Sequence, residues 1–183
     1  MHAFQYWLFT ELRTMKLTDA FMHSKYGFPA CQILHFVGLC LLVGAIFMFD
    51  LRMLGFAKGI PIAALHKLVP WGVGGFAINA ITGFMFLTAT PDQYVYNAAF
   101  QLKVLFLAAA GLNILVFYSV AYGKARLAGA GDGVPLSAKI AAGASLLLWI
   151  GVIVFGRMMA FNRPFVCLPH TVVGFVATCF TKQ

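Results

Sequence analysis

The chain has 183 residues, 62% of them hydrophobic and only 10% charged, with a mean hydropathy of +0.88. A soluble domain of this size carries about 25% charged residues, so a separate soluble domain is excluded and one integral membrane domain over residues 1–183 is expected. The net charge of +8 does not signal nucleic acid, because the basic residues sit singly at the ends of apolar runs and no basic stripe interleaves with aromatics.

Four cysteines, Cys31, Cys40, Cys167 and Cys179, show neither C-x-x-C nor C-x-x-C-H spacing, so neither a zinc site nor covalent haem attachment is signalled. The N-terminal stretch lacks the basic n-region of a signal peptide and carries Glu11 and Arg13 where a cleavage site would fall. Residues 3–22 place Phe4, Trp7, Leu8, Leu12, Met15 and Leu17 near helical spacing, interrupted by Glu11, Arg13, Lys16 and Asp19. That is too polar to span a bilayer, and it predicts an amphipathic helix lying on the membrane lipid.

The first apolar run follows Pro29, with no charge before Asp50. At about 1.5 Å of rise per residue it covers about 30 Å, the hydrocarbon thickness. Spans are predicted over residues 29–51, 62–88, 99–122 and 138–161, forming an all-α four-helix bundle. The second holds Gly75, Asn79 and Gly83 four apart on one face, and Pro70 should kink it. The tail 162–183, broken by Pro169 and His170, is too short for a further span and is expected to be interfacial. Cys167 and Cys179 in that tail are candidates for a disulfide, whereas Cys40 in mid-membrane should stay a thiol.

Four spans leave both termini on one side. The loops after the first and third spans and their flanks carry Arg52, Lys58, Lys67, Lys124, Arg126 and Lys139, and the loop 89–98 carries no Lys or Arg. The positive-inside rule therefore places those two loops in the cytoplasm and both termini outside, although Arg13, Lys16 and Lys25 of the N-terminal segment oppose it.

Counting rise along the helices, His35 lies about 9 Å inside the outer edge of the first span. Lys103 and Arg157 each lie about 6 Å inside theirs, and Thr82 stands at a similar level with Asn79 about one turn deeper. Four helices thus bring polar groups to one layer, and charged groups within spans face the bundle interior or each other. A haem meets these needs: an imidazole ligand in His35, small residues Gly38, Gly75 and Gly83 against the macrocycle, and Arg157 for its propionates. Lys103 either neutralises a propionate or, if deprotonated by burial, becomes the second axial ligand. The plainer alternatives are an interhelical hydrogen bond from His35 to Asn79 or Thr82, snorkelling of Lys103 and Arg157, and glycines used for helix packing. Nearer the cytoplasm lie Asp50, Arg52, His66, Tyr118 and Tyr122. Asp50 and Arg52 are expected to pair, and His66, about 20 Å from His35, is expected to be interfacial, with a second cofactor as the lesser reading.

The pattern His35-x-x-Gly38-Leu39-x-Leu41-Leu42-x-Gly44, with Asp50-Leu51-Arg52-x-Leu54-Gly55, Asn79-x-x-Thr82-Gly83, Asn97-x-x-Phe100-x-x-Lys103, Gly111-Leu112-Asn113 and Trp149 ahead of Gly156-Arg157, resembles a bacterial family of uncharacterised four-span membrane proteins. That family is in turn distantly similar to copper-resistance D proteins and to membrane-bound haem-containing protoporphyrinogen oxidases. The resemblance covers about residues 5–161. It implies a bacterial inner membrane location and haem b associated with His35 and Lys103. One departure is Tyr118, where a histidine following Phe117 is expected; this removes a partner for His66 and argues against a second haem. The expected function is haem-b electron transfer with quinone or a redox partner protein, a porphyrinogen oxidoreductase being the close variant. A homo-oligomer is compatible with it. A cofactor-free structural subunit or small-solute permease is the alternative from a different class.

Overall fold

A computed structural model describes residues 7, 8, 10–12, 20–129 and 131–161. Four long helices dominate them: α1 (Gly27–Leu54), α2 (Ile62–Ala89), α3 (Ala98–Ala125) and α4 (Leu136–Met158), each long and apolar enough to cross a membrane. No strand occurs among the described residues. The chain is an all-α, multi-pass membrane protein. Of the expected interfacial segment, residues 7, 8, 10–12 and 20–22 are helical, with Leu12 and Met22 buried and Trp7 exposed. Its other residues lie outside those described, as do the tail 162–183 and the expected pairing of Cys167 with Cys179. Cys40 is an exposed free thiol.

Local chemistry sets the helix ends. Ser24 Oγ donates to the Phe21 carbonyl (2.6 Å) and accepts the Gly27 N–H (3.1 Å), starting α1 two residues before Pro29. At the far end Gly55 adopts φ +104°. Its N–H bonds to the Arg52 carbonyl and that of Phe56 to Leu51, closing a Schellman motif that only glycine enters without strain. In α2, Pro70 has no N–H to continue the ladder, and the turn before it, His66–Leu68, tightens to a 3-10 helix. Asn97 caps α3, its Oδ1 accepting the Ala99 N–H (2.9 Å) while its Nδ2 reaches the Met159 carbonyl (3.5 Å). Near the other end of α3, Phe117–Ala121 widens to a π-helix.

In cross-section the helices form an open ring, α2–α1–α4–α3. α1 packs closely on α2, α3 on α4, and α1 on α4, but α2 and α3 hardly touch. The α1–α2 contact is made backbone to backbone: a Cβ added to Gly75 would lie 2.6 Å from the Gly38 carbonyl oxygen, and one added to Gly38 would lie 2.9 Å from that of Gly75. The α3–α4 contact is closed by the Phe106 ring, which fills the space of a Cβ at Gly151. Asn113 Nδ2 adds a bond to the Ala141 carbonyl (3.0 Å) across the same pair.

Arg52 organises the end of the bundle where α1 meets α2. Its side chain is fully buried and donates from Nε to the Ile60 carbonyl (2.6 Å) and from Nη2 to those of Gly129 (2.9 Å) and Asp132 (3.4 Å). The loops after α1 and after α3 are thereby tied together, and the Gly131 N–H to Lys58 carbonyl bond (2.8 Å) adds to the tie. The expected Asp50–Arg52 pair does not form. Residues two apart on a helix point to nearly opposite faces, so Arg52 turns to the loops and Asp50 to the bundle interior. Arg52→Met keeps the apolar stem but strips three charge-assisted bonds from part-buried loop carbonyls, each worth up to about 1.5–3 kcal/mol. We expect it to lower the midpoint of thermal unfolding in detergent by roughly 5–10 °C, whereas Arg126→Met, at an exposed position, should leave it unchanged.

Candidate functional site

The His35 end of the bundle is built on α1 and α2. His35 is half-buried on α1, and its Nδ1 lies 2.7 Å from Thr82 Oγ1 on α2. Thr82 Oγ1 also stands 2.6 Å from the Ile78 carbonyl oxygen of its own helix. Two oxygens at that separation hold a proton between them, and the threonine hydroxyl has only one to give. Oγ1 must therefore accept from His35, which places the imidazole proton on Nδ1 and the lone pair on Nε2. Among the described residues Nε2 has no hydrogen-bond partner. The Phe86 ring meets the imidazole edge to face, centroids 5.6 Å apart, and Cys31 Sγ donates to the Thr82 carbonyl at 3.7 Å. Gly83 leaves room beside the ring, since a Cβ there would stand 3.8 Å from His35 Cε1.

From α3, Lys103 extends past Gly156 of α4, its Nζ 3.7 Å from where a Cβ there would stand. His35, Thr82 and Gly83 are thus brought together, with Lys103 at their end of the bundle. The remaining candidates are not. Gly38 and Gly75 are consumed by the α1–α2 contact, where each meets the opposite backbone and no macrocycle has space. Asn79 donates to the Gly75 carbonyl of its own helix (3.0 Å) and fills the room above Gly38. Arg157 is exposed, its guanidinium over the Phe161 ring at 5.4 Å; it snorkels rather than facing the bundle.

At the opposite end, His66 joins α2 to α3. The Tyr118 hydroxyl lies 3.3 Å from His66 Nε2, and the Tyr122 ring lies against the imidazole with centroids 5.1 Å apart. Tyr118 lies within the π-helical turn and Tyr122 directly follows it, and both rings reach His66. Tyr118 therefore supplies His66 with the partner that its presence in place of a histidine was expected to remove. No group of three or more His, Cys, Asp or Glu capable of holding a metal ion occurs among the described residues.

Between the two ends lies a cavity of about 390 Å³, walled by all four helices and almost wholly apolar. On the α2–α3 side its walls include Val73, Phe76, Ile114 and Tyr118, all exposed on the bundle surface. Asp50, Ser145 and Trp149 lie in its inner wall. The Asp50 carboxyl hydrogen-bonds Ser145, while Asp50 Oδ2 and Trp149 Nε1 are buried without any partner. Sequence reasoning put Asp50 at the interface and gave Ser145 and Trp149 no role. The available signal was their spacing of four, which sets them on one face of α4, opposite a carboxylate in an otherwise uncharged run.

No curated protein and no solved structure matches the chain. The model of a family of unknown function, DUF6644, matches residues 18–162, which takes in all four helices and both ends of the bundle. The chain belongs to that family, DUF6644.

Proposed function

We propose that this chain is a haem-b-binding protein of the bacterial inner membrane that moves electrons, with a quinone or a redox partner protein at the other end of the transfer. The observation that carries the reading is the fixed tautomer of His35. Thr82 accepts a hydrogen bond from Nδ1–H, so that in the neutral imidazole Nε2 is the unprotonated nitrogen, the arrangement in which a histidine ligates iron and is held by a second group. The resemblance of the His35 and Lys103 motifs to the haem-containing oxidases supports the same pair. In this reading His35 would ligate the iron, Thr82 orients the imidazole, Gly83 gives the ring clearance, and Lys103 would neutralise a propionate or offer a further nitrogen to the iron. Gly38, Gly75, Asn79 and Arg157 are left out. Haem bound there supplies one-electron redox chemistry; the protein orients the free nitrogen of the neutral imidazole and sets a cation at the same end of the bundle.

A purified haem protein is coloured, so the test is an absorption spectrum with a Soret band and a reduced-minus-oxidised difference in protein expressed with adequate haem. A colourless wild type overturns the reading.

Orientation follows from charge. The loops tied by Arg52 carry the basic residues and are proposed to be cytoplasmic, with both termini outside. In cysteine-free protein, Lys58→Cys and Lys124→Cys should label with a membrane-impermeant maleimide only after the membrane is opened from the cytoplasmic side, and Gln93→Cys should label from outside. Lys58→Cys and Gln93→Cys reacting from one side would overturn the topology.

A further inference from the structure

We propose that the central cavity is a binding site for the head group of a lipid-soluble hydroquinone, entered from the bilayer between α2 and α3. The seam between those helices is where the ring of helices is open, and the residues that line the cavity along it are the exposed Val73, Phe76, Ile114 and Tyr118. A lipid-dissolved molecule reaches the cavity there without crossing a polar surface. The volume suits a small ring system, since ligand pockets begin at about 300 Å³.

The inner wall decides the chemistry. Asp50 is 7% and Trp149 3% exposed, and each has an unpartnered polar atom. Asp50 Oδ2 is an acceptor and Trp149 Nε1–H a donor. Leaving either unpaired forfeits its hydration with nothing in return. The bond to Ser145 fixes the carboxyl against α4, and Trp149 stands one turn, about 6 Å, further along that helix. A ligand that satisfies both atoms must donate one hydrogen bond and accept another within a single helical turn, on an otherwise apolar body. A phenolic hydroxyl does both. A quinone has acceptors only: it answers Trp149 and leaves the ionised carboxylate unpaired, so the site favours the reduced form while Asp50 is ionised. Arg52, the nearest basic residue along the chain, is turned away to the loops, so Asp50 has no counter-cation in the cavity wall. A lipophilic cation is therefore the competing occupant, but it offers Trp149 Nε1–H no acceptor.

The inference deepens the electron-transfer reading. It rests on that reading for the choice of hydroquinones over other phenols, and binding itself needs no haem. The test uses full-length protein in lipid nanodiscs, 15N-labelled at its three tryptophans, titrated anaerobically with decyl-substituted benzohydroquinone. The indole resonance of Trp149, assigned by its loss in Trp149→Phe, should shift on binding. Asp50→Asn and Trp149→Phe should each weaken affinity about tenfold by calorimetry, and the corresponding quinone should bind wild type at least tenfold more weakly than the hydroquinone. Equal affinity of the two variants and wild type overturns the site. Tetraphenylphosphonium binding more tightly than the hydroquinone, with loss in Asp50→Asn alone, overturns the ligand class. The colour of the wild type and its Trp149 shift, read together, separate the two proposals. A colourless wild type that still shows the Trp149 shift removes the haem and keeps the cavity site. A red wild type with no shift does the reverse.

Discussion

His35→Ala is expected to abolish the haem b spectrum of the purified protein, while His66→Ala leaves it intact. The reasoning starts from the proton on Nδ1. Thr82 spends its one hydroxyl hydrogen on the Ile78 carbonyl and is left to accept from the imidazole. Neutral His35 is therefore oriented with its proton on Nδ1 and its lone pair on Nε2. Alanine removes that nitrogen. His66 has its Nε2 engaged by the Tyr118 hydroxyl and its ring packed on Tyr122, so its removal should not disturb ligation at the other end. Thr82→Val is the intermediate case. It keeps the shape of the side chain but leaves Nδ1–H without an acceptor, and loss of such an outer partner weakens metal affinity roughly 10- to 100-fold. Arg157→Ala should change little, because its guanidinium stacks on Phe161 at the surface. Reduced-minus-oxidised spectra at matched protein concentration check all four variants, with retention of the thermal midpoint showing that each has folded. An unchanged spectrum in His35→Ala would sink the assignment of the ligand.

The spans were legible because length and apolarity suffice to define them. The first, expected over 29–51, runs Gly27–Leu54, and the fourth, expected over 138–161, ends at Met158. What the sequence carries along a helix is height, since each residue adds a fixed rise; what it carries poorly is azimuth. His35, Thr82 and Lys103 share a level, and His35 and Thr82 also a contact. Arg157 shares the level, yet it faces outward. Asp50 and Arg52 sit within one turn of α1, and their two-residue separation sends one to the cavity and the other to the loops. The open seam between α2 and α3 was not legible at all, because it depends on which helices fail to touch. For the same reason the glycines were ambiguous: a stripe of small residues fits a flat cofactor and a second helix equally well, and only the position of α1 against α2 decides between them.

That decision makes Gly75→Val strongly destabilising. A Cβ at residue 75 would lie 2.6 Å from the Gly38 carbonyl oxygen, 2.7 Å from the Leu42 backbone nitrogen and 3.0 Å from Leu41 Cβ. Two of those three atoms are backbone of the neighbouring helix, so no rotamer change relieves the clash and α1 must move away from α2. Moving it strips the contact of Gly72 with Ala45 below and stretches the bond of His35 to Thr82 about two turns above. Overpacking of this kind costs about 1–3 kcal/mol even where flexible side chains absorb part of it, and here backbone must absorb it. The residue next to it supplies the control. A Cβ at Gly74 meets nothing within 4 Å, so Gly74→Val changes the same helix at the same depth, with the same loss of backbone freedom, but without the collision. Gly75→Val should lower the thermal midpoint in detergent by roughly 10 °C or more and, by displacing Thr82 from His35, should also cost haem. Gly74→Val should stay within a few degrees of wild type and keep its colour. If the two variants unfold together, α1 and α2 do not meet at Gly38 and Gly75, and the seat of His35 built on that contact falls with it.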